Sequence, residues 1–110
     1  MATLDVNKVA EDMLAKMKPI LGQNWEKAKE YVKEESAKLA LAFVKMEAQK
    51  LAGTITEQQA KILFDMQKNA SLAVLAAAGG IGDLAAAQAM NAALGALKDP
   101  VNQALGFKLL

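Results

Sequence analysis

Residues 56–78 read TEQQAKILFDMQKNASLAVLAAA, and this stretch indicates the fold most clearly. Thr56 and Gln59 form the capping-box pattern that begins a helix. Polar side chains then repeat at helical spacing, at Gln58, Lys61, Asp65 and Lys68. The next positions on that stripe are Leu72 and Leu75, so the polar face stops after Asn69. We therefore predict a helix from Glu57 to about Ala78 that loses its solvent face half-way along.

The remainder of the chain also has a helical composition. Its 110 residues include 23 Ala, 15 Leu and 6 Met, which are strong helix formers. A first helix is predicted from Asp5 or Val6 to Lys18, with Thr3 or Asp5 as its cap. Pro19 and Gly22 should break the chain after it.

The next predicted helix completes a long hairpin. Asn24 should cap a helix from Trp25 to Leu51, which Gly53 ends. Because the connection to the helix at 57–78 is short, the two should form a long antiparallel hairpin over residues 24–78.

Two further helices are predicted near the C-terminus. One should run from about Leu84 to Leu97 with Asp83 as its cap, and Asp99-Pro100 should begin a short last helix that ends at Gly106. The expected fold class is all-α, a small helical bundle of about four helices plus a short C-terminal helix.

Charge divides the chain into two halves. Residues 1–68 hold 11 Lys and 10 acidic residues, whereas residues 69–110 hold only Asp83, Lys98, Asp99 and Lys108. A chain of this length is expected to form one domain. We therefore interpret residues 1–110 as a single helical domain with a charged amphipathic half, 1–69, and an Ala-rich apolar half, 70–110.

The composition excludes several classes of function. The chain has no His, no Cys and no Arg, which removes thiolate chemistry, the usual zinc sites and bidentate phosphate recognition. Acidic pairs such as Glu34–Glu35 lie among lysines and are expected on a solvated face. With a net charge of +1 and few aromatic residues, nucleic-acid binding is not expected. We predict no enzyme activity, no cofactor and no metal.

A glycine motif near the middle of the apolar half is also expected to have no binding function. Residues 80–85, GIGDLA, match the glycine pattern of dinucleotide-binding turns. The preceding residues 71–78 have a helical pattern rather than a strand pattern, so a turn between two helices is expected instead.

The first residues, 1–5, lack the features of a secretion signal, and the default expectation is a cytoplasmic protein.

The stretch Ala70–Leu97 carries the functional prediction. Small residues recur at i, i+4 and would let helix backbones approach closely. The leading hypothesis is a structural or assembly protein that binds a second copy or a helical partner through these helices. The alternative is a membrane-active protein that inserts the 70–97 hairpin into a bilayer, although Gly79, Gly80 and Gly82 interrupt any single span. The predicted contact residues are Leu72, Leu75, Ala78, Gly82, Ala85, Ala89, Met90, Ala93, Leu94 and Leu97.

Overall fold

The computed structural model describes residues 4–110, which form four α-helices joined by short turns. Their bounds are Val6–Leu21 for α1, Trp25–Ala52 for α2, Glu57–Ala77 for α3 and Gly82–Leu105 for α4, and a single 3-10 turn at Gly22–Asn24 joins α1 to α2. No strand occurs within residues 4–110, so the predicted all-α class is confirmed. The helix ends and the hairpin differ in detail from the sequence prediction.

Side-chain contacts establish an antiparallel, cyclic arrangement of the helices. Glu35 contacts Ser71 and Phe43 stacks on Phe64, so α2 and α3 run in opposite directions. Ser36 near the middle of α2 donates to Met17 in α1. The helix α4 closes the ring, because it packs against both α1 and α3. The bundle measures 42 × 23 × 18 Å.

The core is built from large side chains opposed by small ones. Met13, Met17, Phe43, Leu75 and Met90 are fully buried. On α4 the inward positions include Ala86, Ala89 and Ala93, which are also fully buried. Because alanine adds little width, α1 and α4 can approach closely, and they form the most extensive helix contact of the bundle.

The predicted break at Pro19 is wrong. The helix α1 continues through Pro19 to Leu21 and ends at Gly22, which has a φ of 52°. Pro19 lies in the last turn, where it removes only one helical hydrogen bond. Burial of Met17 and Leu21 favours continuing the helix, since both side chains extend the face begun by Val9 and Met13.

The predicted separate helix after Asp99-Pro100 is also wrong. The helix α4 runs without interruption from Gly82 to Leu105 and includes Pro100. Leu97, Val101 and Leu105 are buried at i, i+4 spacing, so one continuous apolar face spans the proline. Gly106 ends the helix, as the sequence indicates.

The helix caps agree only in part with the sequence prediction. The Asp5 side chain accepts hydrogen bonds from the backbone amides of Asn7 and Lys8, while Thr3 lies outside the described residues. The capping box of Thr56 and Gln59 is present. The side chain of Asn24 makes no capping hydrogen bond, because the 3-10 turn leads directly into α2. The α4 cap position is Ile81 rather than Asp83.

Candidate functional site

The structure places most of the predicted contact residues inside the chain's own bundle. Five of them are at most 1% exposed: Leu75, Ala89, Met90, Ala93 and Leu97. Three more are partly buried: Leu72, Ala85 and Leu94. Only Ala78 and Gly82 are exposed. An interface role for these ten residues therefore stays a prediction, and in the closed bundle few of them present a surface to another molecule.

The apolar half has a solvent face of its own, in which uncharged residues outnumber the four exposed charged residues Asp83, Lys98, Asp99 and Lys108. The exposed positions of α4 include amides and small residues: Gln88, Asn91, Gly95, Ala96 and Gln103. Ala73 and Ala77 occupy exposed positions late in α3. Alanine and glycine leave little apolar area in water, and amides hydrogen-bond to water directly. A search of the sequence for charged side chains alone misses this face.

Large apolar side chains are exposed instead at the start of α3. Ile62, Leu63 and Met66 are 53%, 46% and 65% exposed, and Leu41 on α2 is 44% exposed. Of residues 62–66, ILFDM, only Phe64 is buried. Its ring stacks on that of Phe43 with a distance of 5.5 Å between the ring centroids. Successive helical residues point 100° apart, so the run cannot be buried as a whole. That run, ILFDM at 62–66, is the sequence signal for an exposed apolar surface.

A shallow groove separates α2 from α3 at this surface. It consists of adjoining hollows of about 290, 240 and 220 Å³ that share lining residues. The α2 wall holds Leu41, Ala42, Lys45 and Gln49, and the α3 wall holds Gln59, Ile62, Leu63 and Gln67. We call this surface, together with the adjacent Met66, the α2–α3 groove. Its walls are mainly apolar and amide, with Lys38 and Lys45 as the lining cations.

A buried polar network holds the two walls together. Ser71 Oγ on α3 donates to Glu35 Oε1 on α2 at 2.9 Å, and Gln67 Nε2 donates to Ser71 Oγ at 3.1 Å. Lys38 Nζ contacts Glu35 Oε2 at 3.1 Å and Glu34 at 3.5 Å. The hydrogen bond to Glu35 and the attraction of its carboxylate raise the pKa of Lys38. The network fixes the spacing and rotation of α2 and α3.

The expected solvated position of Glu35 is wrong. Its neighbour Glu34 is exposed, but Glu35 is 2% exposed because the helix turns it toward α3. A hydroxyl beside a carboxylate resembles a nucleophile with its base, and this is the arrangement closest to catalytic chemistry within residues 4–110. However, Ser71 is 0% exposed, so a substrate cannot reach its hydroxyl in this structure.

A second carboxylate is buried between α1 and α2. Glu47 Oε1 accepts a hydrogen bond from the backbone amide of Leu4 at 2.9 Å. Its other oxygen, Oε2, has no hydrogen-bond partner among residues 4–110. This contact ties the beginning of α1 to α2 and is a structural link between helices. Helical spacing is a signal for this burial, because Glu47 follows the buried Phe43 by four residues and Leu39 by eight.

Comparisons with known protein families, with curated proteins and with solved structures find no match to this chain. Within residues 4–110, no helix combines the length and the hydropathy needed to cross a bilayer. No group of three or more potential metal ligands occurs in the described part of the chain. The α2–α3 groove is therefore interpreted from its own geometry.

Proposed function

We propose that this chain is a non-catalytic assembly protein that pairs with a second copy through the α2–α3 groove. One observation carries the proposal: Leu41, Ile62 and Leu63 line adjoining hollows, Met66 lies one helical turn after Ile62, and each of the four is 44 to 65% exposed. Contiguous apolar surface of this kind on a folded protein usually marks an interaction site. Burial on association would remove this surface from water.

The chemistry of the groove favours a second copy as the partner. Its polar members include Gln49, Gln59 and Gln67, and each amide both donates and accepts hydrogen bonds. Such groups are self-complementary across a two-fold axis, where the same patch meets itself. A long face of a particle measuring 42 × 23 × 18 Å also matches the ~800 Å² that each partner contributes to a standard interface.

The rigid walls of the groove support the same proposal. The Glu35–Ser71 hydrogen bond and the Phe43–Phe64 stack hold α2 and α3 in fixed register directly beneath it. A preformed surface loses little conformational freedom on association, which favours binding. In this proposal the Ala-rich α4 packs against the other helices of its own chain and completes the bundle.

Light scattering after size-exclusion chromatography tests the proposal. The wild-type chain should elute with twice its chain mass of 11.7 kDa. Replacing Ile62 and Met66 by Glu should give the single-chain mass, because four charges would enter the dimer interface. The matched control is Leu84→Glu, since Leu84 is 74% exposed and lies outside the groove. A wild-type mass of one chain at high protein concentration would overturn the proposal.

Membrane insertion of residues 70–97 is the second candidate function. Leu84 is the most exposed large apolar residue and follows the glycine turn that forms the tip of this hairpin. This tip would be the first part of the hairpin to enter a bilayer. The candidate predicts that the chain floats with anionic liposomes and that Leu84→Glu abolishes flotation. Absence of flotation across lipid compositions would contradict it.

A further inference from the structure

A second hollow, of about 440 Å³, lies between α3, α4 and the residues that follow α4. Its apolar lining comes from Phe64, Leu94, Leu109 and Leu110. Its charged lining comes from Asp65, Lys68, Lys98 and Lys108. We call this hollow the lysine groove. It lies on the α4 side of α3 and shares no lining residue with the α2–α3 groove.

The lysine groove collects cations from a part of the chain that has almost none. Lys98 and Lys108 are the two basic residues between positions 69 and 110, and folding brings both to the same hollow as Lys68. The ion pairs within residues 4–110 use Lys8, Lys29 and Lys38 instead. Three lysines without an acidic partner in the described chain therefore face two negative groups, the side chain of Asp65 and the terminal carboxylate of Leu110, which leaves the hollow with a net positive charge.

Specific hydrogen bonds hold the backbone that follows Lys108 against α4. Gly106 ends α4, and the chain then folds back along the helix. Asn102 Oδ1 accepts hydrogen bonds from the backbone amides of Leu109 at 2.9 Å and Leu110 at 3.0 Å. Both bonds are partly buried, so the segment carrying Lys108 is fixed against the bundle rather than free in solvent. The backbone that carries Lys108 is thus held against the bundle.

The floor of the lysine groove is open at Gly95. This residue lies inside α4, and a Cβ placed there would meet no atom within 4 Å. A glycine in the interior of a helix lowers helix stability by about 1 kcal/mol relative to alanine. Here it leaves the α4 backbone uncovered between Leu94 and Lys98, where an alkyl chain has room to lie.

We propose that the lysine groove binds a single-chain anionic amphiphile, because three lysines without an acidic partner among residues 4–110 line the same hollow as a set of apolar side chains. The carboxylate or phosphate head would lie among Lys68, Lys98 and Lys108. The alkyl chain would lie on Phe64, Leu94 and Leu109, across Gly95. A volume of about 440 Å³ falls within the ~300–1,000 Å³ of small-molecule sites. This inference is independent of the proposed pairing through the α2–α3 groove.

Nuclear magnetic resonance titration of the full chain tests the ligand class. The probes are laurate and monododecyl phosphate below their micelle concentrations, with a neutral dodecyl glycoside and inorganic phosphate as comparison ligands. The two anionic amphiphiles should give saturable shifts of the Gly95 and Lys98 backbone amides. Equal affinity for the neutral glycoside or for inorganic phosphate would overturn the proposal, as would binding to anionic vesicles without binding to the monomeric amphiphiles.

Two groove variants and a matched control test the location. Gly95→Leu should fill the floor, and the double variant Lys98→Gln/Lys108→Gln should remove two of the three cations. Each should weaken laurate binding at least about tenfold in titration calorimetry, since charge-assisted contacts and apolar contacts are then lost. The control Lys16→Gln/Lys33→Gln removes two exposed lysines elsewhere and should keep the wild-type affinity. Thermal melting verifies folding of each variant, and unchanged affinity in both groove variants contradicts the site.

Discussion

The Glu35–Ser71 hydrogen bond is the most consequential polar contact between α2 and α3. Both groups are buried, and Ser71 Oγ is the donor for Glu35 Oε1 at 2.9 Å. Ser71→Ala should reduce the free energy of unfolding by about 1–3 kcal/mol, because a buried acceptor is left without its partner. Urea unfolding measures this loss. In a Glu35→Met background the same substitution should have little effect, and an equal loss in both backgrounds would contradict a direct coupling.

Lys38 provides a pH-dependent contribution to stability. Its hydrogen bond to Glu35 raises the pKa of Lys38 above the ordinary value of 10.5. A raised pKa in the folded state means that the contribution is complete below pH 10.5 and is lost as the pH rises through the raised pKa. Lys38→Gln should therefore unfold at lower urea concentration than the wild type at pH 8. The two midpoints should converge as the pH rises through the raised pKa of Lys38.

The control for this titration is Lys33→Gln. Lys33 is exposed on the same helix, and it takes no part in the ion pairs found within residues 4–110. Its removal should shift the urea midpoint little at pH 8. A pH-independent difference between the wild type and Lys38→Gln would show that the ion pair with Glu35 is not its cause.

At the scale of the helices, two glycines should respond oppositely to the same substitution. Gly95 lies inside α4 with open space where an alanine Cβ would lie, so Gly95→Ala should raise stability by about 1 kcal/mol. At Gly79, which follows α3, a Cβ would lie 2.5 Å from the Leu75 carbonyl oxygen. Gly79→Ala should lower stability by roughly 1–3 kcal/mol, because the turn must shift. Thermal melting of both variants checks the pair, and the same sign of change would contradict this interpretation.

Local sequence signals predict the type of each helix better than its ends. The capping box at Thr56 and Gln59 marks the start of α3 correctly, since it depends on neighbouring residues alone. Pro19 and Pro100 suggest breaks that do not occur. Their local effect is outweighed by long-range burial, of Leu21 in α1 and of Val101 and Leu105 in α4. Such burial depends on tertiary packing, which local sequence rules do not include.

Side-chain environments are harder to predict than helix type for the same reason. Glu34 and Glu35 are adjacent acids among lysines, and helical spacing places Glu35 on the same face as Val32 and Leu39. Its hydrogen bond to Ser71 depends on how α2 packs against α3. The exposure of Ile62, Leu63 and Met66 follows in part from the sequence, because a run of apolar residues exceeds one helix face. That these residues and Leu41 belong to the same groove follows only from the packing of α2 against α3.

At the scale of the whole molecule, the bundle buries one face of the Ala-rich half without a partner. Leu75, Met90 and Leu97 fill the interior of the single chain. Most exposed positions late in α3 and along the middle of α4 are alanine, glycine or amide residues. The largest group of exposed apolar side chains, Leu41, Ile62, Leu63 and Met66, lies on the charged half, whereas Leu84 is exposed by itself at the start of α4. We therefore place the proposed contact between copies at the α2–α3 groove, whereas the sequence analysis predicted it at residues 72–97.

Thiol accessibility tests pairing through this groove most directly, because the natural chain has no cysteine. The variants Met66→Cys and Leu84→Cys each introduce one thiol at an exposed apolar position, the first in the groove and the second outside it. The rate of maleimide labelling is measured as protein concentration rises. Labelling of Met66→Cys should slow as copies pair, while labelling of Leu84→Cys stays constant. Equal rates for Met66→Cys at all concentrations, or protection of Leu84→Cys alone, would contradict pairing through the α2–α3 groove.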